Sequence, residues 1–185
     1  KLHEIASFAV SKACVTHIDF SACSNYLAAA ADDLTVSIYR PVSGGAADGA
    51  KQEWEFVGKH RAHNRRIVGL AFSGAGADGA DAADAPPRLV SLGEDKQLLE
   101  FDLGRSTIAD GVQLCRPPVR VEQTARPTAC AWLPSAPPAS EPCVVTANDG
   151  YKLRLLSAEG LTLSRTVLGP TYGGPLTKML LLPAP

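Results

Sequence analysis

The chain has 185 residues, a formal net charge of −1 and 45% hydrophobic residues. That is enough for one ordinary domain with a sizeable core, and too balanced in charge for a globally steered nucleic-acid or anionic-membrane partner. The longest strongly apolar run, residues 179–182, is far too short to cross a bilayer, and the opening KLHEIASFAV has neither a secretory pattern nor an initiator Met, which predicts a soluble, intracellular piece of a longer protein.

Helical periodicity is nearly absent, while short runs of β-branched and aromatic residues recur between Gly, Pro, Asp and Asn clusters, the pattern of an all-β chain. The first run, VTHIDFS (15–21), alternates apolar positions up to Phe20. YLAAAADDLTVSIYR (26–40) then reads as strand, acidic turn at Asp33, and a strand closing on Tyr39. Residues 43–53 form an insertion, and WEFVGKH (54–60) is a fourth strand. His60, Arg61, His63, Arg65 and Arg66 follow as the densest positive charge. They suit a solvated loop first and an acidic protein partner second, and a nucleic acid least, because no stacking aromatics are interleaved.

The next run, IVGLAFS (67–73), leads into Gly74, Gly76 and Gly79 in the spacing G-x-G-x-x-G. A nucleotide cradle needs a helix after these glycines, yet residues 80–87 offer no apolar residue larger than alanine and end in Pro86 and Pro87. The segment 74–87 is therefore a loop insertion. Asp78, Asp81 and Asp84 within it lack the alternate spacing, central Gly and terminal Glu of a calcium loop. RLVSLGEDKQLLEFD (88–102) repeats the strand, acidic turn, strand shape, with Asp95 in register with Asp33 and Phe101 with Tyr39. VRVEQTA, from Val119, is the fourth strand of this second unit.

TACAWLP (128–134), an insertion at 135–142, CVVTANDGYKLRLLS (143–157) and LTLSRTV (161–167) form a third unit, with Asp149 at the turn and one extra residue near Tyr151. GPTYGGP (169–175) is a turn-rich connection whose Tyr172 either packs or is presented to a partner, and LTKMLLLP (176–183) repeats the first strand once more. The units run approximately over 15–63, 67–125 and 128–174, with the start of the next at 176–183. Phe20, Phe72, Trp132 and Leu181 recur roughly 50–60 residues apart, somewhat above the 40–45 of a WD-type blade, and the insertions account for the excess. Five cysteines, Cys14, Cys23, Cys115, Cys130 and Cys143, include no C-x-x-C pair. Neither a zinc site nor a disulfide framework is expected, and no cofactor is implied.

These repeats resemble those of WD40-repeat proteins, over about three four-stranded blades plus the first strand of another. Unit two is nearest, with Ala62-His63, Asp95 in the turn, and Phe101-Asp102 where Trp-Asp stands in the family. The resemblance implies a partial β-propeller in which His63, Asp33, Asp95, Asp149, Tyr39 and Phe101 are structural repeat positions. HRAHNRRIVGLAFSG, PRLVSLGEDKQLLEFDL and LGPTYGGPLTKMLLLP further resemble the WD-repeat subunits of cilia and flagella in the calmodulin- and spoke-associated complex. That likeness implies a non-enzymatic scaffold at the radial spoke base of the axoneme, with spoke-base subunits, a calmodulin-containing complex and tubulin as partners. His60, Arg61, Arg65, Arg66 and Tyr172 are the candidate partner-binding residues.

A cytosolic or nuclear WD40 adaptor is the alternative. A propeller hydrolase would require convergent carboxylates or a metal site at the central channel. Antiparallel four-strand meanders send the three insertions to one end and the basic cluster to the other.

Overall fold

The computed structural model describes residue 7 and residues 9–42, 53–73, 86–134, 141–169 and 171–180. The G-x-G-x-x-G glycines, Asp78, Asp81, Asp84 and nearly all of the three insertions lie outside the described residues. Among the described residues there is no helix. Three antiparallel sheets follow one another along the chain.

The first sheet orders its strands consecutively as β1 (Val15–Phe20), β2 (Leu27–Ala31), β3 (Thr35–Pro41) and β4 (Trp54–Arg61). The second contains β5 (Ile67–Phe72), β6 (Leu89–Gly93), β7 (Gln97–Thr107) and β8 (Gly111–Leu114), with β9 (Val119–Arg120) also pairing with β7. The third contains β10 (Pro127–Leu133), β11 (Cys143–Asn148), β12 (Lys152–Ser157) and β13 (Leu163–Leu168). This succession of meanders is consistent with a β-propeller-like arrangement.

The central hairpins share one register: Leu27 pairs with Tyr39, Leu89 with Phe101, and Val144 with Leu156. Each turns through one left-handed residue, at Leu34, Lys96 and Tyr151, whose N–H bonds to the carbonyl three residues back at Ala31, Gly93 and Asn148. The third hairpin therefore has no extra residue, contrary to the sequence expectation. Asp149 stands opposite Glu94 and Asp32, and Gly150 occupies the place of Asp95 and Asp33.

Two further expectations change. The outer strand of unit two begins at Gly111, before Val119, and is broken by Pro117 and Pro118, which have no N–H to give a ladder; β8 and β9 thus pair with different halves of β7. Residues 176–180 carry no strand, because an extended segment with no neighbouring ladder has no partner for its backbone groups.

The core lies between the sheets. Ala28, Ala30, Val36, Ile38 and Val57 of the first sheet pack on Leu89, Leu99, Phe101 and Val112 of the second. The opposite face of the second sheet, through Val90, Leu92 and Leu98, packs on Cys130, Trp132, Val144 and Leu156 of the third. Burial on both faces is why β6, LVSLG with all five residues buried, shows no alternation of apolar and polar side chains. It also explains Ala-rich β2, where all five residues are buried despite alanine's poor strand propensity.

The first strands sit side by side and are cross-linked. The Phe72 N–H donates to Asp19 Oδ2 at 2.8 Å, and the Trp132 indole N–H donates to the Ala71 carbonyl at 3.1 Å.

Candidate functional site

Each central hairpin turn meets the connection that enters its own unit, and three different chemistries fill that junction. In unit one, Asp33 receives the Ser11 hydroxyl at 2.7 Å, the Thr35 hydroxyl at 2.5 Å and Lys59 Nζ at 2.9 Å. These donors, led by the Thr35 and Ser11 hydroxyls, hold its carboxyl well below the usual carboxylate range.

In unit two, His63 Nδ1 lies 3.0 Å from Asp95 Oδ1 and Nε2 lies 2.9 Å from Ser91 Oγ. With the proton assigned to Nδ1, the ring donates to Asp95 and accepts from Ser91, so both contacts are satisfied by a neutral imidazole. Burial pushes the His63 pKa down, against the opposing pull of Asp95. Asp95 also accepts the N–H groups of Asn64 and Gln97, tying the turn to the incoming connection.

In unit three, Asn148 takes over the turn, accepting from the Gly150 and Lys152 N–H groups. Its amide donates to buried Glu122 at 2.6 Å, and Arg154 Nε lies 2.9 Å from the same carboxylate. Asp149 is displaced outward, where its carboxylate accepts the Arg126 N–H. Thr146, in the register position of Ser91, keeps a buried hydroxyl without a hydrogen-bond partner, since no histidine among the described residues reaches it.

Ser91, His63 and Asp95 have the connectivity of a hydrolytic triad. Their surroundings oppose that use: Ser91 is 0% and His63 2% exposed, and a nucleophile sealed inside a core meets no substrate. No group of three His, Cys, Asp or Glu side chains among the described residues is arranged to hold a metal.

Tyr39 and Phe101, at the closing positions, are 4% and 1% exposed. Tyr39 lies against Phe56 with ring centroids 5.4 Å apart, and Phe101 meets His60 edge-on at 6.1 Å. His60 is thus half-buried, and burial lowers its pKa. The predicted basic cluster therefore divides: His60 and His63 serve packing and the turn, while Arg61, Arg65 and Arg66 remain exposed with no acidic partner among the described residues. Tyr172 is fully presented, at 93% exposure.

A cavity of about 510 Å³ opens along the first strands, with His17, Asp19 and Phe20 on one side, Phe72 and Trp132 on the other, and Lys178 and Leu180 beside them. A second cavity of about 240 Å³ adjoins it at His17 and is lined by Arg66, Glu94, Arg126, Thr128 and Thr177.

Sequence reasoning missed one further constellation. Glu100, 1% exposed, receives Arg88 Nε at 2.5 Å, and Arg116 Nε lies 2.8 Å from its other oxygen. Arg88 also stacks on Trp132, 4.9 Å from the ring centroid, and reaches the Ala158 carbonyl, while Arg116 reaches that of Glu159. Glu100 thereby fastens the second sheet to the third. The signal was an acid between Leu99 and Phe101, at the register position of Ile38, in a strand apolar on both faces. The cysteines are free, and Cys130 is buried with its thiol pushed up to about 12 by desolvation, an inert packing residue.

No family model matches the chain. It is similar to the curated proteins named cilia- and flagella-associated protein 251: 34% identical over 176 residues to that of Mus musculus, covering 95% of this chain and 12% of the relative. The Pongo abelii protein is 34% identical over 179 residues, covering 95% of this chain and 14% of the relative. The Tetrahymena thermophila protein is 30% identical over 147 residues, covering 71% of this chain and 14% of the relative. The chain thus spans 12 to 14% of the length of these relatives. The likeness, held across mammals and a ciliate, supports a ciliary or flagellar association for this chain.

Proposed function

We propose that the chain is part of a WD40-type β-propeller serving as a non-enzymatic protein-interaction scaffold in the axoneme, at the base of the radial spoke. The supporting observation is the stacking of three four-stranded meanders with β1, β5 and β10 side by side and latched by Asp19 and Trp132. Repeat architectures bury their faces against neighbours in this way. Leu163 and Leu168 on the third sheet remain exposed, and in the longer protein a further blade would cover them. Spoke-base subunits, a calmodulin-containing complex and the acidic tails of tubulin are the proposed partners, with Arg61, Arg65, Arg66 and Tyr172 among the contacts.

The test is localisation of the tagged full-length protein with tomography of isolated axonemes. The reading expects axonemal protein, and a missing or loosened spoke with impaired motility when the gene is deleted. A diffuse cytosolic or nuclear pool absent from axonemes would leave only a generic adaptor.

A further inference from the structure

The two adjoining cavities differ in chemistry. The smaller places Arg66 and Arg126 around His17 and Thr128. Arg126 is 3.9 Å from Glu94 and 4.0 Å from Asp149, the outer limit of an ion pair. Arg66 has no acidic partner among the described residues, nor has Lys178 where the larger cavity begins. The Thr128 hydroxyl is buried without a hydrogen-bond partner, a donor left unanswered beside two guanidinium groups. The larger cavity has Phe72, Trp132 and Met179 in its wall together with Asp19 and Lys178, and three further lining residues, Ile18, Phe20 and Leu180, are 62%, 55% and 74% exposed.

The positive field is felt locally. After burial and a backbone hydrogen bond, the charges that act on His17 are Arg66 and Lys178, both opposing its protonation. The ring therefore favours its neutral form, and the cations around it are left to act on a ligand.

We propose that this bipartite cleft binds an acidic peptide segment, its carboxylates at Arg66, Arg126 and Thr128 and a following large apolar side chain between Phe20 and Trp132. The inference rests on the scaffold reading and deepens it by naming the site and the partner's chemistry. A guanidinium fork fits a carboxylate in two-point contact. The apolar lining residues distinguish such a peptide from a simple anion, which would use only the cationic end. A nucleic acid would fill the cationic end alike, but its bases would need stacking partners along the strand, and the only ring of the described cleft facing that end is His17.

The experiment uses the full-length protein and fluorescein-labelled peptides. One contains six glutamates followed by Leu and Phe, a second ends in Gly-Gly instead, and a third probe is oligo-uridine RNA of similar length. Anisotropy should show saturable binding of the first peptide that weakens with salt, and weaker binding of the second. Arg66→Glu with Arg126→Glu should reduce affinity by at least about tenfold. Ile18→Ser with Leu180→Ser should remove the advantage of the first peptide over the second. Arg105→Glu, at the opposite end of β7, should bind as the parent does, and circular dichroism melts confirm that each variant is folded.

No saturable binding, equal binding by the double-Glu variant, or RNA binding tighter than the peptide overturns the cleft. Failure here in a protein that still assembles into axonemes leaves the scaffold reading standing. Absence from axonemes removes the axonemal assignment, and leaves a generic adaptor, whatever the peptide does.

Discussion

Gly93 leaves the room that His63 fills. A Cβ at residue 93 would stand 2.5 Å from Asp95 Oδ1 and 2.7 Å from His63 Cγ, closer than side-chain atoms pack. The register position of Gly93 is Ala31 in unit one, where the small Ser11 replaces the imidazole, and Asn148 in unit three, whose own amide fills the junction. Large and small residues are exchanged between two positions while the turn is kept.

Gly93→Ala should accordingly destabilise the full-length protein by about 1–3 kcal/mol through overpacking. Gly160→Ala, where a Cβ meets only an ordinary contact at 3.4 Å, should fall within about 0.5 kcal/mol. Urea denaturation measures both, and equal effects would contradict a tightly filled junction.

The triad-like geometry at Ser91 should be chemically silent. A fluorophosphonate probe is expected to leave Ser91 unmodified in the folded protein, as its burial demands. Labelling at Ser91 that disappears in His63→Gln, read by mass spectrometry, would show a nucleophile in place of a structural network.

Stability should fall on mild acidification. His63, His60 and His17 are all held below their ordinary value, chiefly by burial, so below pH about 6.5 the unfolded chain takes up protons that the folded chain refuses. Their contribution is full above that pH and declines as pH drops towards the folded-state values. Urea midpoints at pH 8, 7, 6 and 5 should decrease over the lower part of the series, and His63→Gln should flatten part of the slope. A flat parent profile would contradict the burial of these rings. At lower pH, Asp33 stabilises the fold above its unfolded value of about 3.9 and loses that effect below it, while Asp19, raised by burial, works in the opposite sense.

The Glu100 cluster yields a contrast in magnitude. Glu100→Gln removes the one acid that Arg88 and Arg116 share among the described residues and should cost about 2–4 kcal/mol. Arg126→Gln, whose side chain is 60% exposed, should cost no more than about 0.5 kcal/mol. Chemical denaturation compares them, and a Glu100 variant as stable as the parent would mean that apolar packing alone joins the sheets.

The strand succession and hairpin register were legible because apolar periodicity and turn chemistry are local properties. Asp33 and Asp95 could be placed for the same reason. Asp149 was misplaced because one turn carries two adjacent polar residues, and which of them bends back is decided by Glu122, 26 residues away. The outer strand of unit two was sought after Pro117 and Pro118, where an apolar run resumes, although its longer part precedes them and is held by β7. The role of residues 176–180 depends on a neighbouring ladder, which no local pattern supplies. Glu100 was visible as an anomaly, but Arg88 and Arg116 lie 12 and 16 positions from it, and nothing in the spacing joins them.

The latches on β5 also set an order of events during synthesis. Hairpin ladders close over short stretches of chain and can form as soon as each unit leaves the ribosome. Asp19, by contrast, waits for Phe72, 53 residues on, and Ala71 waits for Trp132, 61 residues on. Each unit therefore emerges with its own ladder complete but its inner strand unfastened, and the arrival of the next unit fastens it. A ribosome paused between units would hold a chain whose last inner edge is still open to another nascent copy.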